Sequence, residues 1–422
     1  MRQKPSGERR GHGRIQGLLD IGSAAITAAV AVVETSPRGG APAARIVGIG
    51  AQRSRGVKAG VLIDLNEAEQ AVRAAISQAE RAAGATIDGV VASVSCGRIV
   101  SRHFAANTDC ETGTVTEFDI ARVLAAGQTY AERDGRVLVH MNRLGFKLDG
   151  APGVRDPRGL AARRIAAQLH AVTTDEAPLR NLLWLIDRCN LACDGLVAAP
   201  YASGLAATAA EERELGVTCI DFGAGTTSMA MFAEGRLVGV DVIAVGAHHI
   251  TFDIAKALQT PVAEAERIKT LFGALICAQS DAYEVIPHRL AERDGGSAET
   301  TRAQLAEIIR PRMAQIAALL RERLASAPAA SVATGKFVLT GGGSQLIGAA
   351  EFIARELGRP ARVGASTAAP GLPAVAGTPQ ASALVGLAIA ASGADAEFST
   401  AFAPPQSRGY LGRVGSWLRT GF

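Results

Sequence analysis

Leu18-Leu19-Asp20-Ile21-Gly22-Ser23 closes one apolar run and opens another. Cys219-Ile220-Asp221-Phe222-Gly223-Ala224-Gly225-Thr226-Thr227 does the same in the second half of the chain. Each reads as strand, tight glycine turn, strand, with one carboxylate at the turn. A third turn, Gly341-Gly342-Gly343-Ser344, follows the strand Phe337-Val338-Leu339-Thr340. Glycine lets the backbone approach an anion closely, and successive N–H groups in such a turn form an anion-binding nest. Ser23, Thr226 and Thr227 add hydroxyl donors. Asp20 and Asp221 would repel a phosphate but suit Mg2+, which takes one or two carboxylates together with substrate phosphates. One Asp-Gly turn is an ordinary hairpin signal. Two in matching hairpins, with a strand–GGG–helix after them, point to a nucleotide site built by duplication.

The chain has 422 residues, too many for one compact core, so two or more domains are expected. A hydrophobic content of 48% with 20% charged residues is that of a globular protein. The net charge is only +4, and no basic run is interleaved with aromatics, so nucleic-acid binding has no support. Cys189 and Cys193 have a loose C-x3-C spacing with no second ligand pair, so free thiols are expected rather than a zinc site. Residues 1–13 are basic and Gly-rich without an apolar core, which reads as a disordered tail and not a signal peptide. The run Leu18 to Val33 is interrupted by Asp20 and Gly22 and is too short for a membrane span. A cytoplasmic protein is therefore expected.

Strands are predicted over 14–34 and 43–50, and a helix over 66–83 with Asn66 as its cap and Gly84 as its stop. Residues 97–175 change character and read as a small α+β insert, with a helix near 117–131. Helices are expected at 178–190, 247–259, 262–272 and 301–326, the last kinked at Pro311. Residues 292–300 read as a polar loop. Ser344 to Leu357 reads as the helix after the glycine turn, and Ala381 to Ala391 as a small-residue helix able to pack closely. The resulting division has a first subdomain (14–96, 176–215 and 376–391) carrying the insert at 97–175. A second subdomain (216–245 and 335–375) carries an outer helical part (246–334).

Residues 392–406 lose periodicity and read as a linker. In 407–422, Tyr410, Leu411, Val414, Trp417, Leu418 and Phe422 form one apolar stripe on a helix, with Arg408, Arg413 and Arg419 as its cationic complement. This is the pattern of an in-plane amphipathic membrane anchor, with Trp417 suited to the interface. Ordering such a peptide costs about 1–2 kcal/mol per residue, which offsets most of its apolar burial. A single copy should bind reversibly, and several copies on one polymer firmly.

In this order of elements the chain resembles the actin-like ATPase superfamily, whose duplicated two-domain α/β fold is the expectation here. Gly17 to Val30 and Cys219 to Phe232 resemble its two phosphate motifs, and Phe337 to Ile353 its adenosine motif. Tyr201-Ala202-Ser203-Gly204 and Ala383 to Ala391 resemble its connecting segments. Within the superfamily the chain is similar to the FtsA family of bacterial division proteins. Gly56-Val57-Lys58-Ala59-Gly60-Val61-Leu62-Ile63-Asp64, Gly153-Val154-Arg155-Asp156-Pro157-Arg158-Gly159-Leu160 and Gly415-Ser416-Trp417-Leu418 match its segments, and the insert matches its displaced subdomain.

The resemblance implies ATP and Mg2+ as ligands. Gly22, Ser23, Gly223, Ala224, Gly225, Thr226, Thr227, Gly341, Gly342, Gly343 and Ser344 would hold the nucleotide, and Asp20 and Asp221 the metal. Glu266 would accept from the ribose hydroxyls and Lys269 would lie near the base. It further implies peripheral attachment to the inner face of the cytoplasmic membrane at the division site, self-assembly, and contacts of the insert with later division proteins. The C-terminal tail of FtsZ is the implied partner of the outer helical part, with Arg310 and Arg312 as candidate contacts. Two departures stand out. Ala24-Ala25 follow Ser23 where family members often carry Lys or Arg. Gly195 and Ala199 occupy the stretch where hydrolytic relatives orient water with Gln or Glu, leaving Asp194 as the only nearby acid. Since water positioning is most of what such a site contributes, nucleotide reads as an assembly ligand, with at most weak hydrolysis. A soluble kinase of the same fold would need a catalytic Asp, for which this sequence offers no candidate beyond Asp221, and would have no use for the anchor. A pilus-assembly type of ATPase shares the displaced subdomain but would not carry the Trp417 tail.

Overall fold

The structure is a computed structural model that describes residues 13–34, 43–291, 296–327, 329, 335–365 and 377–393. The expected N-terminal tail (all but residue 13), the linker after residue 393 and the anchor at 407–422 lie outside the described residues.

The first half begins with β1 (Arg14–Ile21), β2 (Ala25–Glu34) and β3 (Ala43–Arg53), which pair as an antiparallel meander. A small hairpin, β4 (Val57–Lys58) and β5 (Val61–Leu62), leads into α1 (Leu65–Ala83). Asp64, not Asn66, caps α1: its Oδ1 accepts from the Glu67 N–H at 3.0 Å. Left-handed Gly84 ends the helix. Ala68, Val72, Ala75, Ile76 and Ala79 are its buried face. It crosses to β6 (Gly89–Val94), parallel to β1.

The insert follows as β7 (Val100–Asp109), α2 (Glu117–Ala131), β8 (Arg136–Leu148), β9 (Ala151–Val154) and β10 (Arg164–Asp175), one sheet of order β7-β10-β8-β9. Thr116 caps α2 through a reciprocal box with Asp119. The chain returns through α3 (Glu176–Arg188), β11 (Ala192–Ala198) and α4 (Ala199–Ala207), and crosses by α5 (Ala210–Leu215).

The second half repeats the first. β12 (Val217–Phe222), β13 (Thr227–Ala233) and β14 (Arg236–Ile243) form the same antiparallel meander. The outer part comprises α6 (Ala247–Ala257), α7 (Val262–Phe272), the hairpin β15 (Val285–Arg289) and β16 (Ser297–Thr301), and α8 (Arg302–Ser326). β16 corrects the loop expected over 292–300. Ser-Ala-Glu-Thr-Thr shows no apolar alternation, and the strand exists because it pairs with β15 in full register. α8 is one unbroken helix through Pro311. β17 (Phe337–Thr340) then runs parallel to β12, followed by α9 (Ala349–Leu357), β18 (Ala361–Val363) and α10 (Ser382–Ser392). A continuous helix from Ser344 does not form: a short 3-10 turn at Gly342–Gln345 is followed by left-handed Gly348, and α9 starts only after it.

The two main sheets have orders β11-β6-β1-β2-β3 and β14-β13-β12-β17-β18. In both, a three-strand meander is extended on the side of its first strand by two parallel strands, so the duplication is topological as well as local. α10 packs its small residues against α4, with Gly386 on the Ala202 carbonyl. The six cysteines are free thiols.

The insert rests on the second half through a buried polar joint. His170 Nδ1 donates to the Leu237 carbonyl at 3.1 Å and its Nε2 accepts from Ser101 Oγ at 2.6 Å. Ser101 Oγ in turn accepts from the Val240 N–H at 3.2 Å, and Asn142 donates to Leu237 at 3.0 Å. These partners satisfy the exposed edge of β14, which would otherwise carry unpaired backbone groups. On the other side of the insert, His140 Nε2 accepts from the Ala198 N–H at 2.8 Å.

Candidate functional site

Asp20 stands opposite Thr27 near the end of β1, and Asp221 opposite Ser228 near the end of β12. Each carboxylate accepts one short hydroxyl hydrogen bond, Ser93 Oγ to Asp20 at 2.6 Å and Ser203 Oγ to Asp221 at 2.6 Å. Ser93 lies in β6, which follows the first meander, and Ser203 in α4, which precedes the second. Burial pushes the Asp20 carboxyl up to about 6, against the pull of Ser93 and helped by the charge of Asp221. Burial likewise raises Asp221, opposed by Ser203. Neither carboxylate has an ion pair among the described residues. Two desolvated carboxylates facing one cleft without a basic partner fit a divalent cation completed by phosphate oxygens and water. No group of three or more potential metal ligands occurs among the described residues, which argues against an all-protein metal cage.

The glycine turns bring backbone against these carboxylates. Gly341 is left-handed at φ 79°, and a Cβ there would lie 2.2 Å from Asp221 Oδ1. A Cβ on Gly225 would lie 2.6 Å from Ser23 Oγ and 2.9 Å from the Ala59 Cα, so the two halves meet at this glycine. Ser23 Oγ also accepts from the Gly60 N–H at 3.2 Å. The Gly223 and Ala224 carbonyls accept from Ala247 N–H (2.9 Å) and His248 N–H (2.8 Å) at the start of α6. With both carbonyls tied to the helix, the turn can offer its N–H groups to an anion.

The turns enclose a cavity of about 390 Å3 between the halves. Asp20, Gly22, Ser23, Asp221, Gly223 to Thr226, Glu266, Lys269 and Gly341 to Gly343 all line it. Thr227 and Ser344 do not. Thr227 is fully buried and donates to the Val245 carbonyl at 2.8 Å, and Ser344 donates to the Gly341 carbonyl at 2.7 Å. Both hydroxyls hold turns in shape, and neither faces the cavity. Glu266 accepts from Lys269 Nζ at 2.7 Å and from Thr251 Oγ1 at 2.5 Å. Burial would raise its carboxyl, but these two donors hold it below its ordinary range. Lys269 is lowered by burial, against the attraction of Glu266.

Sequence reading missed His248, Thr270, Gln345, Leu346 and Gln380, which also line the cavity. His248 alone had a local signal, lying two residues after Gly246 at the mouth of α6. Ala199 and Pro200 reach the cavity from the connecting stretch, whereas Asp194 does not. Asp194 lies beside Gly89, at the opposite end of β6 from Ser93, and accepts from Gln16 Nε2 at 2.9 Å. The acids that line the cavity are Asp20, Asp221 and Glu266 among the described residues.

Arg310 and Arg312 lie away from this site on α8. Arg310 Nε donates to the Leu275 carbonyl at 2.8 Å, while Arg312 forms a bidentate pair with Asp253 at 2.7 and 2.8 Å. Tyr410, Leu411, Arg413, Val414, Trp417, Leu418, Arg419 and Phe422 fall outside the described residues. No helix among the described residues is long and apolar enough to cross a membrane.

Residues 218–386 match the family model described as cell division protein FtsA, and residues 96–173 match one described as the SHS2 domain inserted in FtsA. The chain is 37% identical to the cell division protein FtsA of Agrobacterium fabrum over 436 aligned positions, which span 100% of this chain and 97% of that protein. Among solved structures it resembles the PilM-PilN type IV pilus biogenesis complex (TM-score 0.63, 18% identity, 89% of this chain and 98% of that one). It also resembles MreB5 of Spiroplasma citri bound to ADP (TM-score 0.54, 14% identity, 89% and 95%). At these identities the structural likenesses bear on the fold alone, and the fold is actin-like.

Proposed function

The chain belongs to the FtsA family of cell division proteins, and from that premise we propose that it binds ATP with Mg2+ between its two halves and tethers FtsZ filaments to the inner face of the cytoplasmic membrane. The observation that carries the nucleotide reading is the pair Asp20 and Asp221, two desolvated carboxylates framed by glycine turns from both halves and from the β17 turn. Asp20 and Asp221 hold the cation. The turns at Gly22-Ser23 and Gly223–Thr226 take the phosphates, Gly341–Gly343 approach the nucleoside, and Glu266 and Lys269 flank the ribose and base. Bound Mg2+ would offset the phosphate charge and fix the phosphates' orientation.

Nucleotide serves assembly in this reading. Ala199 and Pro200 occupy the cavity wall where a water-orienting amide or carboxylate would be needed, and neither side chain can position water. Attachment rests on the amphipathic pattern of 407–422, where several reversible anchors on one polymer act together. The FtsZ tail docks on the outer part. Arg310 is the better placed of the two candidates there, because Asp253 already neutralises Arg312. The insert meets neighbouring subunits and later division proteins.

Liposome co-sedimentation tests the tether. The full chain and a truncation ending near residue 400 are spun with vesicles containing anionic lipid, with and without FtsZ and ATP. The full chain should pellet and carry FtsZ with it, and the truncation should not. If both stay in the supernatant, the tether reading fails.

A further inference from the structure

The first phosphate turn carries Ala24-Ala25 and no cation of its own, yet the fold delivers one to the same place. β2 and β3 are antiparallel neighbours in a register that sets Ala25 opposite Arg53 and Thr27 opposite Ala51. Directly opposed residues project from the same face of a sheet, with Cβ atoms about 5 Å apart. Ala25 and Thr27 both line the nucleotide cavity, so Arg53 projects from the cavity face.

The alternation along β3 agrees. Gln52 faces the other way, donating to Gln78 of α1 at 3.3 Å, and a Cβ on Gly50 would meet the Ala75 carbonyl of the same helix at 1.9 Å. The end of β3 is therefore clamped on α1, and the next residue is tied to the phosphate turn itself, Ser54 N–H donating to the Ala24 carbonyl at 2.9 Å. Arg53 is exposed, lies just outside the residues that line the cavity, and has no ion pair among the described residues. His248, at the start of α6 in the second half, lines the cavity. Burial holds its imidazole below the ordinary range, and Lys269, His249 and Arg53 add to that effect while Glu266 opposes it. The field of Arg53 thus reaches the cavity from the first half to the second.

Resting on the nucleotide reading above, we propose that Arg53 supplies from the neighbouring strand the phosphate-binding cation that the first turn lacks, contacting the terminal phosphates of a nucleoside triphosphate. A guanidinium suits that task because it binds phosphate oxygens bidentately, and the clamped strand fixes the backbone that carries it.

Titration of the full chain with a fluorescent ATP analogue at fixed Mg2+ tests this. Arg53→Ala should weaken binding about 10- to 100-fold, the effect of one lost charged hydrogen bond, with an unchanged melting temperature. Arg53→Lys should retain part of the affinity. The double variant Arg53→Ala/Ala25→Lys should recover it by moving the charge to the cross-strand neighbour. A wild-type protein that takes up no nucleotide overturns the nucleotide reading and this inference together. Wild-type binding that Arg53→Ala leaves unchanged overturns the inference alone. So does a loss that neither lysine variant recovers.

Discussion

Asp20 and Asp221 are equivalent residues of the two halves, each one position from the end of the first strand of a meander and each held by a serine hydroxyl at 2.6 Å. Their burial and mutual repulsion disfavour the ionised pair, a cost that a divalent cation would relieve. The rise of Asp20 from 3.8 to about 6 corresponds to at most about 3 kcal/mol against its ionised form. Between those values the folded chain binds more protons than the unfolded one. The group therefore stabilises the fold at low pH, and that contribution is lost as pH rises through 6. Asp20→Asn should raise the melting temperature of the nucleotide-free protein at pH 7.5 and abolish the added stabilisation by Mg2+ with ATP. Thermal unfolding in EDTA and in Mg2+ with ATP reads both effects.

The two buried histidines of the insert should weaken the fold in acid. Burial pushes His140 to about 3, with the charge of His170 adding to it, and His170 to about 3, with His103 adding to it. Unfolded, both titrate near 6.5. Stability is thus fully present above pH 6.5 and is lost as pH falls toward 3, by about 1.4 kcal/mol per pH unit for each histidine. Urea unfolding at pH 7, 6 and 5 should show that slope, and His170→Asn should shallow it.

Gly341→Ala should damage the site more than the fold. The positive φ of 79° with ψ 169° is a region open essentially to glycine and costs an alanine about 1–3 kcal/mol, and its methyl would displace the Asp221 carboxylate. A modest fall in melting temperature with complete loss of Mg2+-dependent ATP binding is expected.

Trp417→Glu places a charge in the apolar stripe of 407–422 and should abolish pelleting with anionic vesicles while leaving ATP binding intact. Paired co-sedimentation and nucleotide titration separate the two.

The duplicated hairpins were legible in the sequence because strand periodicity and Asp-Gly turn chemistry are local. The insert's helix near 117–131 was legible as well, and the structure adds the Thr116–Asp119 box that caps it. What was hidden depends on partners far along the chain. The Thr227 hydroxyl is claimed by the Val245 carbonyl, and Asp194 by Gln16, contacts that no spacing announces. The strand at 297–301 follows from pairing and not from its own composition. Arg53 beside Ala25 emerges only from the register of two strands, so the missing cation of the phosphate turn looked like a deficit until that register was known.

The two halves are proposed to hold a Mg2+-dependent ATP site jointly. Equilibrium titration of a fluorescent ATP analogue into the wild-type chain and Asp221→Asn, each with Mg2+ and with EDTA, tests it most directly. Saturable binding to the wild-type protein in Mg2+ is predicted, lost in EDTA and lost in Asp221→Asn. No binding by the wild-type chain, or binding indifferent to both the metal and Asp221, would contradict it.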